Sequence, residues 1–395
     1  MKKIVIVGAG VSGLTLAISL KNDNNEVIVL EKNSEAGKKI LVTGNGRCNF
    51  LNDNFNASFY HSVIDNDLSN IINDNSKNRV IDFITSLGIE YKIKNGYYYP
   101  FTNKASTIRD TFVNEINKRN IKIIYDYKVS DVRKDNNKFI INNDISCDVL
   151  VISTGSKSYS VTGSTGDGYN ILKSFNHSVT ELYPSLVQIT TKGKFLKDWS
   201  GVRTDASVSI WNDDKLIKEE YGELQLTDYG VSGICVFNLS RYVNLYENTK
   251  IKINFVPYIK EGLYDYLENK NKLDLTVYDL LSRMLNERIV RVILKLLDIN
   301  SNIMYKDISI DKKKELIGYL TNFTLEVTGT KSFDNSQVTM GGIKLDEIDL
   351  NTFESKKVDN LYIIGELLDV DGDCGGYNIA FAIISALKAS DSIRG

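Results

Sequence analysis

The first thirty-one residues contain the pattern that most restricts the possible folds. A short β-branched run at 4–7 is followed at once by Gly8, Gly10 and Gly13, and then by apolar residues at helical spacing. A second apolar run ends at Glu31. This order of strand, glycine turn, helix, strand and acidic residue predicts the first βαβ unit of a doubly wound α/β fold that binds a dinucleotide.

Each residue of this pattern has a physical role in the prediction. Gly8 permits the sharp turn out of the strand, Gly10 lets a pyrophosphate approach the backbone, and Gly13 lets the helix pack closely on the sheet. The amino end of the helix offers unpaired N–H groups and a partial positive charge. Glu31 follows Gly13 by 18 residues, a spacing that predicts hydrogen bonds to an adenosine ribose and disfavours a 2′-phosphate.

A secretory signal peptide is the alternative interpretation of the same stretch. Lys2 and Lys3 precede an apolar run, as in an export signal. The three glycines interrupt that run, however, and no small-residue cleavage site follows it. The second strand continues the pattern beyond any such site, so we favour the dinucleotide interpretation.

Length and composition limit the number of domains and the kinds of partner. A chain of 395 residues predicts two domains, or one domain with a large insertion. A formal net charge of −2 provides no general attraction to nucleic acid or to an anionic membrane. After residue 20 no apolar run approaches the length of a membrane span. We therefore expect a small-molecule substrate, no nucleic-acid partner, no membrane span, and a monomer or weak homo-oligomer.

The cysteines and histidines exclude two further classes of site. Cys48, Cys147, Cys235 and Cys374 are scattered and form no CxxC pair, and the chain has only two histidines. This pattern argues against a disulfide framework, a zinc site or any metal centre, and it favours a reducing, cytoplasmic location.

Three later segments favour FAD over NAD as the bound dinucleotide. Residues 37–49 form a glycine-rich loop with Arg47, which many FAD enzymes of the glutathione-reductase type have at this distance; an incidental surface loop is the alternative. Residues 147–155 form an apolar strand that ends in Thr-Gly, and 375–390 form a glycine turn that opens an apolar helix. A helix start there stabilises negative charge on a reduced flavin. Because no second strand–GxGxxG–helix unit occurs, we expect NAD(P)H to bind transiently as electron donor.

Together these motifs resemble a bacterial NAD(P)/FAD-dependent oxidoreductase family that includes aminoacetone-oxidase-like and 3-dehydro-bile-acid Δ4,6-reductase-like flavoproteins. The resemblance runs through GAGVSGL (8–14), GKKILVTGNGRCN (37–49), STGSKSYSVTGSTGDGY (153–169), LYPSLVQI (182–189), GELQLTDYGVSG (222–233), QVTMGGI (337–343) and LYIIGELLDVDGDCGGYN (361–378).

The resemblance implies an α/β chain with a glutathione-reductase-type doubly wound FAD-binding domain, interrupted by a β-rich plus helical insert. We expect the FAD-binding domain in 1–189 and 333–395, and the insert, a substrate or lid domain, in 190–332. Alternating patterns predict a small β-barrel or sandwich in the insert. Helical periodicity appears at 276–297 and at 312–327, where the second helix runs into a strand.

The resemblance also implies which residues contact non-covalent FAD. The predicted set contains the two glycine turns, the acidic strand end and the late strand–turn–helix, and its members are Gly8, Gly10, Val11, Ser12, Gly13, Glu31, Lys32, Lys39, Gly44, Gly46, Arg47, Cys48, Val129, Thr154, Gly155, Gly365, Glu366, Asp373, Gly375, Gly376, Tyr377 and Asn378.

The reaction itself is less restricted by the sequence. We favour hydride transfer from flavin N5 to an activated C=C, an enone, in a hydrophobic and steroid-like or bile-acid-like molecule. Candidates for the proton donor and the oxyanion-stabilising group are Tyr159, Tyr377, Arg47 and Asp371. The alternatives are an FAD-dependent oxidase of a small amine, which uses O2, and a flavoprotein linked to RNA modification. For the two tyrosines the structural alternative is packing: Tyr377 bracing the glycine turn and Tyr159 lying under the cofactor.

Overall fold

Strands and helices alternate along the chain as the α/β prediction requires. The structure, a computed structural model, describes residues 2–20, 24–64, 67–259 and 262–395. Its strands are β1 (Lys2–Val7), β2 (Asn25–Leu30), β3 (Leu51–Asn52), β4 (Tyr60–His61), β5 (Tyr91–Lys94), β6 (Tyr97–Pro100), β7 (Lys122–Ile124), β8 (Val132–Asp135), β9 (Lys138–Ile141), β10 (Ile145–Cys147), β11 (Val149–Ile152), β12 (Tyr183–Ser185), β13 (Ile189–Thr191), β14 (Arg203–Asn212), β15 (Lys215–Leu226), β16 (Gly230–Ser232), β17 (Thr249–Asn254), β18 (Phe323–Thr330), β19 (Val338–Met340), β20 (Ile348–Asp349), β21 (Glu354–Ser355), β22 (Leu361–Ile363) and β23 (Asp371–Gly372). Its helices are α1 (Val11–Leu20), α2 (Lys38–Val42), α3 (Asp74–Ser86), α4 (Ala105–Lys118), α5 (Asp167–Ser174), α6 (Leu196–Trp199), α7 (Ile234–Leu245), α8 (Leu263–Glu268), α9 (Val277–Ser282), α10 (Glu287–Leu296), α11 (Ile310–Thr321) and α12 (Tyr377–Arg394).

A seven-stranded sheet with the order β20-β21-β22-β11-β1-β2-β7 forms the centre of the first unit. Strands β22, β11, β1, β2 and β7 are parallel, and β21 and β20 extend the sheet in antiparallel fashion. The chain leaves β1 for β2 on one side and later adds β11 on the other, which creates a topological switch point. The predicted doubly wound α/β class is therefore confirmed.

The amino-terminal stretch is an integral part of this sheet. Strand β1 lies between β11 and β2, and Ile4, Val5 and Ile6 are fully buried. Helix α1 packs against α12, so the two ends of the chain meet on the sheet. A segment that forms an inner strand of the sheet, paired on both sides, is not a removable export signal, and the dinucleotide interpretation of the pattern fits this position.

The second unit spans Leu186–Ser332 and has a hydrophobic core of its own, while the first unit comprises the segments up to Ser185 and from Phe333 onward. In the second unit β13, β16, β15, β14, β17 and β18 form a closed barrel, because β13 also pairs with β18. Trp199, Phe255 and Phe323 contact one another inside this unit. Of the two predicted β-architectures, the structure has the barrel.

One helix prediction in the second unit is wrong in detail. The periodic stretch 276–297 contains two helices, α9 and α10, rather than one. The side chain of Asn286 accepts a hydrogen bond from the Arg288 amide and caps α10. An asparagine in this position begins a new helix because its side chain satisfies an amide that lacks an intrahelical partner.

Candidate dinucleotide site

Four segments of the first unit end at the same edge of the parallel sheet. Val7 is paired with Leu30 on one side and with Ile152 on the other, and Ile152 is paired with Ile363. Ligands of open parallel sheets bind beyond the carboxyl ends of the strands, at the switch point. The residues that follow these strand ends are Gly8, Glu31, Ser153–Gly155 and Ile364–Gly365.

The glycine turn after β1 leaves an open stretch of backbone at the start of α1. A Cβ on Gly13 would lie 2.0 Å from the Gly8 carbonyl oxygen and 2.7 Å from Ser153 Oγ, so only glycine permits this approach of helix to strand. A Cβ on Gly10 would meet no protein atom within 4 Å. The first amides of α1 lack intrahelical acceptors. This cradle therefore has the shape and the donors that a pyrophosphate requires.

Val11 and Ser12, two further members of the predicted set, form the first turn of α1. Gly365 approaches this turn from the carboxyl-terminal part of the chain, because a Cβ on Gly365 would lie 2.7 Å from Ser12 Oγ. Gly365 and Gly155 both have left-handed backbone, with φ of 73° and 69°. Segments more than 300 residues apart in the sequence thus form one surface.

Glu31 lies at the predicted place, directly after β2, and is only 8% exposed. The Ala9 amide donates to Glu31 Oε2 at 2.8 Å, and the Asn33 amide and Nδ2 donate to Oε1 at 2.8 and 2.7 Å. A carboxylate can accept about four hydrogen bonds. Glu31 therefore holds the glycine turn in place and retains acceptor capacity for a ribose hydroxyl.

Three predicted contacts on this side have protein partners or are buried or half-buried. The Lys32 ammonium lies 2.5 Å from Asp167 Oδ2 and 2.5 Å from Thr165 Oγ1. Val129 is 5% exposed. Thr154 is half-buried. Its hydroxyl oxygen lies against Gly168, because a Cβ on Gly168 would be only 2.3 Å from it.

The second glycine loop contains several consecutive residues with left-handed backbone. Gly44, Asn45, Gly46 and Cys48 have φ between 54° and 77°. Successive amides in such turns form concave anion-binding surfaces. Arg47 is exposed, and its Nε donates to the Gly44 carbonyl at 3.2 Å. Burial raises the pKa of the Cys48 thiol to about 12, so this group stays a neutral packing residue.

Lys39 and Glu366, which were predicted separately as FAD contacts, form an ion pair with each other. The Lys39 ammonium lies 2.7 Å from Glu366 Oε2 and also donates to Ser158 Oγ at 2.7 Å. Ser158 donates to Glu366 Oε1 at 2.8 Å. Both side chains are about one-fifth to one-quarter exposed. The pair links α2 to the strand end at Gly365.

A glycine turn positions the start of α12. Gly375 and Gly376 have φ of 145° and 98°, and a Cβ on Gly376 would lie 2.6 Å from the Leu51 amide nitrogen. The Asn378 side chain closes the turn, since its Oδ1 accepts from the Gly372 amide at 2.8 Å and its Nδ2 donates to the Gly372 carbonyl at 2.8 Å. The turn thus directs the amino end of an 18-residue helix toward the site edge.

Two of the predicted catalytic side chains are almost completely buried. Tyr377 is 3% exposed, its hydroxyl donates to the Asn54 carbonyl at 2.8 Å, and its ring stacks on Phe59 at 4.9 Å. Burial raises the pKa of Tyr377 well above its usual value. Asp371 is 2% exposed, and Ser185 donates to its carboxylate at 3.3 Å. These contacts are those of bracing residues, and the catalytic roles of both residues stay predictions.

The other two predicted catalytic residues are more accessible. Tyr159 is half-buried and has φ of 59°, a left-handed conformation that is rare for an aromatic residue. Its amide donates to the Phe333 carbonyl at 2.9 Å. Arg47 is exposed and lies over the Tyr99 ring, 5.2 Å from its centre.

A histidine–carboxylate contact that the sequence did not indicate lies beside the α12 turn. His61 Nε2 is 2.8 Å from Asp373 Oδ1, and the two side chains are 22% and 12% exposed. Asp373 belongs to the predicted set, but His61 lies 312 residues away along the chain. The two side chains meet because β4 pairs with β23 in antiparallel fashion, and no sequence motif predicts that pairing. Burial raises the pKa of the neighbouring Cys374 thiol to about 12.

The second histidine lies in the interior of the first unit. His177 Nδ1 is 2.9 Å from Glu347 Oε2, and its Nε2 is 2.8 Å from Ser355 Oγ. Burial lowers the pKa of His177. In the ranges that the structure describes, no three His, Cys, Asp or Glu side chains are grouped to hold a metal ion. Within the same ranges no helix combines the length and apolarity needed to cross a bilayer.

Comparison with known proteins identifies the family. The family model described as HI0933-like protein Rossmann domain matches residues 2–392. The chain is 33% identical to the 3-dehydro-bile acid delta(4,6)-reductase of Clostridium scindens, over 97% of this chain and 96% of that protein. It is 28% identical to the ribosomal RNA dihydrouridine synthase of Haemophilus influenzae, over 98% of both chains.

A solved structure of similar fold is the 3-ketosteroid-Δ4-(5α)-dehydrogenase from Rhodococcus jostii RHA1 in complex with 4-androstene-3,17-dione. Its TM-score is 0.55 at 11% identity, with 100% of this chain and 97% of that chain covered. This likeness concerns the fold alone. The full-length match confirms the resemblance indicated by the motifs, and the chain belongs to the HI0933-like Rossmann family.

Proposed function

We propose that this protein is an FAD-dependent oxidoreductase that reduces a C=C bond conjugated to a carbonyl group in a hydrophobic, steroid-like small molecule. The observation that carries the proposal is the 33% identity to a 3-dehydro-bile acid delta(4,6)-reductase over 97% of the chain. The open glycine turn at the sheet edge supports a dinucleotide as the bound cofactor.

The residues at this edge suit the successive parts of FAD. The amides at the start of α1 and the bare backbone of Gly10 would bind the pyrophosphate. The remaining acceptor capacity of Glu31 would bind the adenosine ribose. The turn at Gly375–Asn378 would direct the partially positive end of α12 toward the pyrimidine edge of the flavin. When bound, the flavin supplies a hydride from N5.

The names of the two curated relatives share one kind of chemistry. Both a Δ(4,6)-reductase and a dihydrouridine synthase saturate a C=C bond, and in each named substrate that bond is conjugated to a carbonyl group. Such a bond accepts a hydride at the β-carbon and a proton at the α-carbon, while the carbonyl oxygen gains negative charge. This chain must therefore provide a proton donor and a group that stabilises the oxyanion.

Exposure distinguishes among the four predicted catalytic residues. Tyr377 and Asp371 are 3% and 2% exposed, so neither hydroxyl nor carboxyl is readily available to a substrate. Arg47 is exposed and always charged, which suits it to stabilise an oxyanion. Tyr159 is half-buried and carries a hydroxyl that can donate a proton. We propose these two as the catalytic pair.

RNA modification is the second candidate function. The full-length similarity to a ribosomal RNA dihydrouridine synthase favours it. The formal net charge of −2 weighs against it, because affinity for nucleic acid comes largely from cationic side chains at the phosphates. We therefore place a small molecule first. NAD(P)H as donor, a cytoplasmic location and a monomer or weak homo-oligomer complete the proposal.

An anaerobic half-reaction experiment tests the proposal. The purified protein is expected to be yellow and to release FAD on denaturation. After reduction with NADH, NADPH or dithionite, it is mixed separately with a 3-keto-4,6-diene bile acid, an unmodified ribosomal RNA fragment, or air. We expect rapid reoxidation by the dienone, with a product that is two hydrogens heavier by mass spectrometry, and slow reoxidation by the other two.

Other results would contradict specific parts of the proposal. Reoxidation by the RNA alone would assign the protein to RNA modification. Bleaching of the oxidised protein by small amines, with peroxide released in air, would assign it to amine oxidation. A colourless protein that FAD does not reconstitute would refute the flavoprotein assignment itself.

A further inference from the structure

One small sheet beside the α12 turn has an aromatic and cationic outer face. In the sheet β3-β6-β5, Lys94 is paired with Tyr97 and Lys92 with Tyr99. Directly paired residues of neighbouring strands point to the same face, so these four side chains form one surface. The ring of Tyr98 points to the opposite face and is buried. We call Lys92, Lys94, Tyr97, Tyr99 and Phe101 the tyrosine–lysine face.

The cations on and beside this face have no acidic partners. The Arg47 guanidinium lies 5.2 Å from the centre of the Tyr99 ring, and Lys92 Nζ lies 5.4 Å from that of Phe101. Across the described part of the chain, no ion pair involves Arg47, Lys92 or Lys94, although many other lysines and arginines are paired. No carboxylate among the described residues neutralises these three cations, so a negatively charged ligand can contact them.

The face adjoins the predicted flavin end of the site. A Cβ on Gly375 would lie 3.0 Å from Tyr97 Cε1. Asn52, which is paired with Tyr97, donates to the Gly375 carbonyl at 3.1 Å. The rings of Tyr97 and Tyr99 lie 6.4 Å apart, side by side along β6. The tyrosine–lysine face therefore extends outward from the turn that begins α12.

We propose that the tyrosine–lysine face binds the nicotinamide dinucleotide that donates electrons to the enzyme. This inference rests on the proposed function. The adenine ring of NAD(P)H can stack on tyrosine and its pyrophosphate can contact the cations, which leaves the nicotinamide ring free to reach the flavin. When FAD is bound, NAD(P)H would transfer one hydride, which is a proton with two electrons, to the flavin and would leave as NAD(P)⁺. The sequence has no second strand–GxGxxG–helix unit to bind it, so a surface beside the first site serves instead.

A dinucleotide fits this face better than RNA. The face has two lysines and three aromatic rings, with Arg47 beside it, so it can contact only a few charged groups of a ligand. Single-stranded nucleic acid is bound along a longer cationic groove, with sites of about 4–16 nucleotides in known single-strand-binding folds. RNA binding is therefore an alternative outcome of the test.

Charge reversal on the face provides that test. In the variant Lys92→Glu/Lys94→Glu, we expect the Kd for 1,4,5,6-tetrahydro-NADH, a non-reducing analogue, to rise about tenfold in titration calorimetry with the FAD-loaded protein. The Kd for NADH in rapid flavin reduction should rise equally, while the limiting rate at saturation stays the same. Reduction by dithionite and reoxidation by the enone should not change.

The control is Lys122→Glu/Lys173→Glu, which makes the same change in net charge at two exposed positions of the first unit, in β7 and α5, that are not part of the face. A Tyr99→Leu variant, which keeps an apolar side chain but removes the aromatic ring, should also weaken analogue binding. Equal Kd values in face and control variants would overturn the proposal, as would loss of RNA binding without loss of analogue binding. Failure to bind FAD in the parent protein would refute the proposed function instead, and FAD content is measured separately.

Discussion

At the scale of single residues, Gly13 and Gly10 of the first turn are glycine for different reasons. Gly13 is required by the protein itself, because a side chain there would collide with the Gly8 carbonyl. Gly10 is not, since its Cβ would meet no protein atom and its φ lies outside the left-handed region. The fold does not require glycine at position 10, and we propose that close approach of a phosphate does.

Exchange of these two glycines for alanine should therefore separate stability from cofactor binding. Gly13→Ala is expected to lower the free energy of unfolding by about 1–3 kcal/mol or more, because backbone atoms must move. Gly10→Ala is expected to change it by less than about 1 kcal/mol. Gly10→Ala should nevertheless weaken FAD binding about tenfold or more, since the methyl group would lie against the pyrophosphate.

Denaturant unfolding of the FAD-free protein and fluorescence titration with FAD measure the two quantities. Each variant serves as the control for the other. A Gly10→Ala protein that binds FAD as tightly as the parent would contradict the pyrophosphate role of this turn.

At the scale of elements, the start of α12 depends on a turn rather than on helix propensity. The Asn378 side chain donates to and accepts from the Gly372 backbone, and Gly375 and Gly376 adopt conformations that strain other residues. The His61–Asp373 pair attaches the same turn to β4. The direction of the helix end toward the site is thus set by contacts made by this turn.

Asn378→Ala should destabilise this turn and weaken FAD binding at the same time. Loss of two partly buried hydrogen bonds is expected to lower the free energy of unfolding by about 1–3 kcal/mol. FAD retention during gel filtration should fall as well, because the amino end of α12 is no longer held in place. Arg394→Ala, at the exposed far end of the same helix, is the control and should change stability by less than about 0.5 kcal/mol.

The result that would contradict this account is also specific. If Asn378→Ala unfolds at the same denaturant concentration as the parent, the two hydrogen bonds do not stabilise the turn. If it loses stability but keeps FAD, the turn does not position a cofactor-binding element.

At the scale of the whole molecule, the two units differ in how the chain builds them. The second unit is one continuous segment, Leu186–Ser332, with a closed barrel and its own core. The first unit needs both ends of the chain, because β22 pairs with β11 and α12 packs against α1. Its sheet is incomplete until residues near the carboxyl terminus are present.

Two fragments should therefore behave differently. Residues 186–332 expressed alone are expected to give a cooperative thermal transition, because all strands of the closed barrel lie within the fragment. Residues 1–332 should retain that transition but fail to bind FAD, since β22 and α12 are missing. Circular dichroism melting and FAD titration check both expectations, with the full chain as the control. FAD binding by residues 1–332 would contradict this division of roles.

The sequence alone was sufficient to predict the elements that local residue patterns determine. The β-branched run before Gly8, the glycine spacing and the acidic strand end identified the Rossmann unit, because close packing and turn geometry restrict residue types at each position. The alternating patterns in the insert indicated a β-rich unit for the same reason. Where two helices share one apolar period, as around Asn286, periodicity alone did not locate the boundary.

Contacts between distant segments were decided only by the tertiary structure. Lys39 and Glu366 were each predicted to contact the cofactor, and the fold brings them into an ion pair with each other. His61 meets Asp373 through the pairing of β4 with β23, and Tyr97 comes to lie beside Gly375, more than 270 residues away along the chain; no local pattern encodes these contacts. The sequence alone was enough to predict what kind of molecule this chain binds, because a glycine turn is a local requirement. Which side chains surround the predicted flavin end of the site depends on contacts between segments about 300 residues apart, such as that of His61 with Asp373. Those contacts form only in the folded chain.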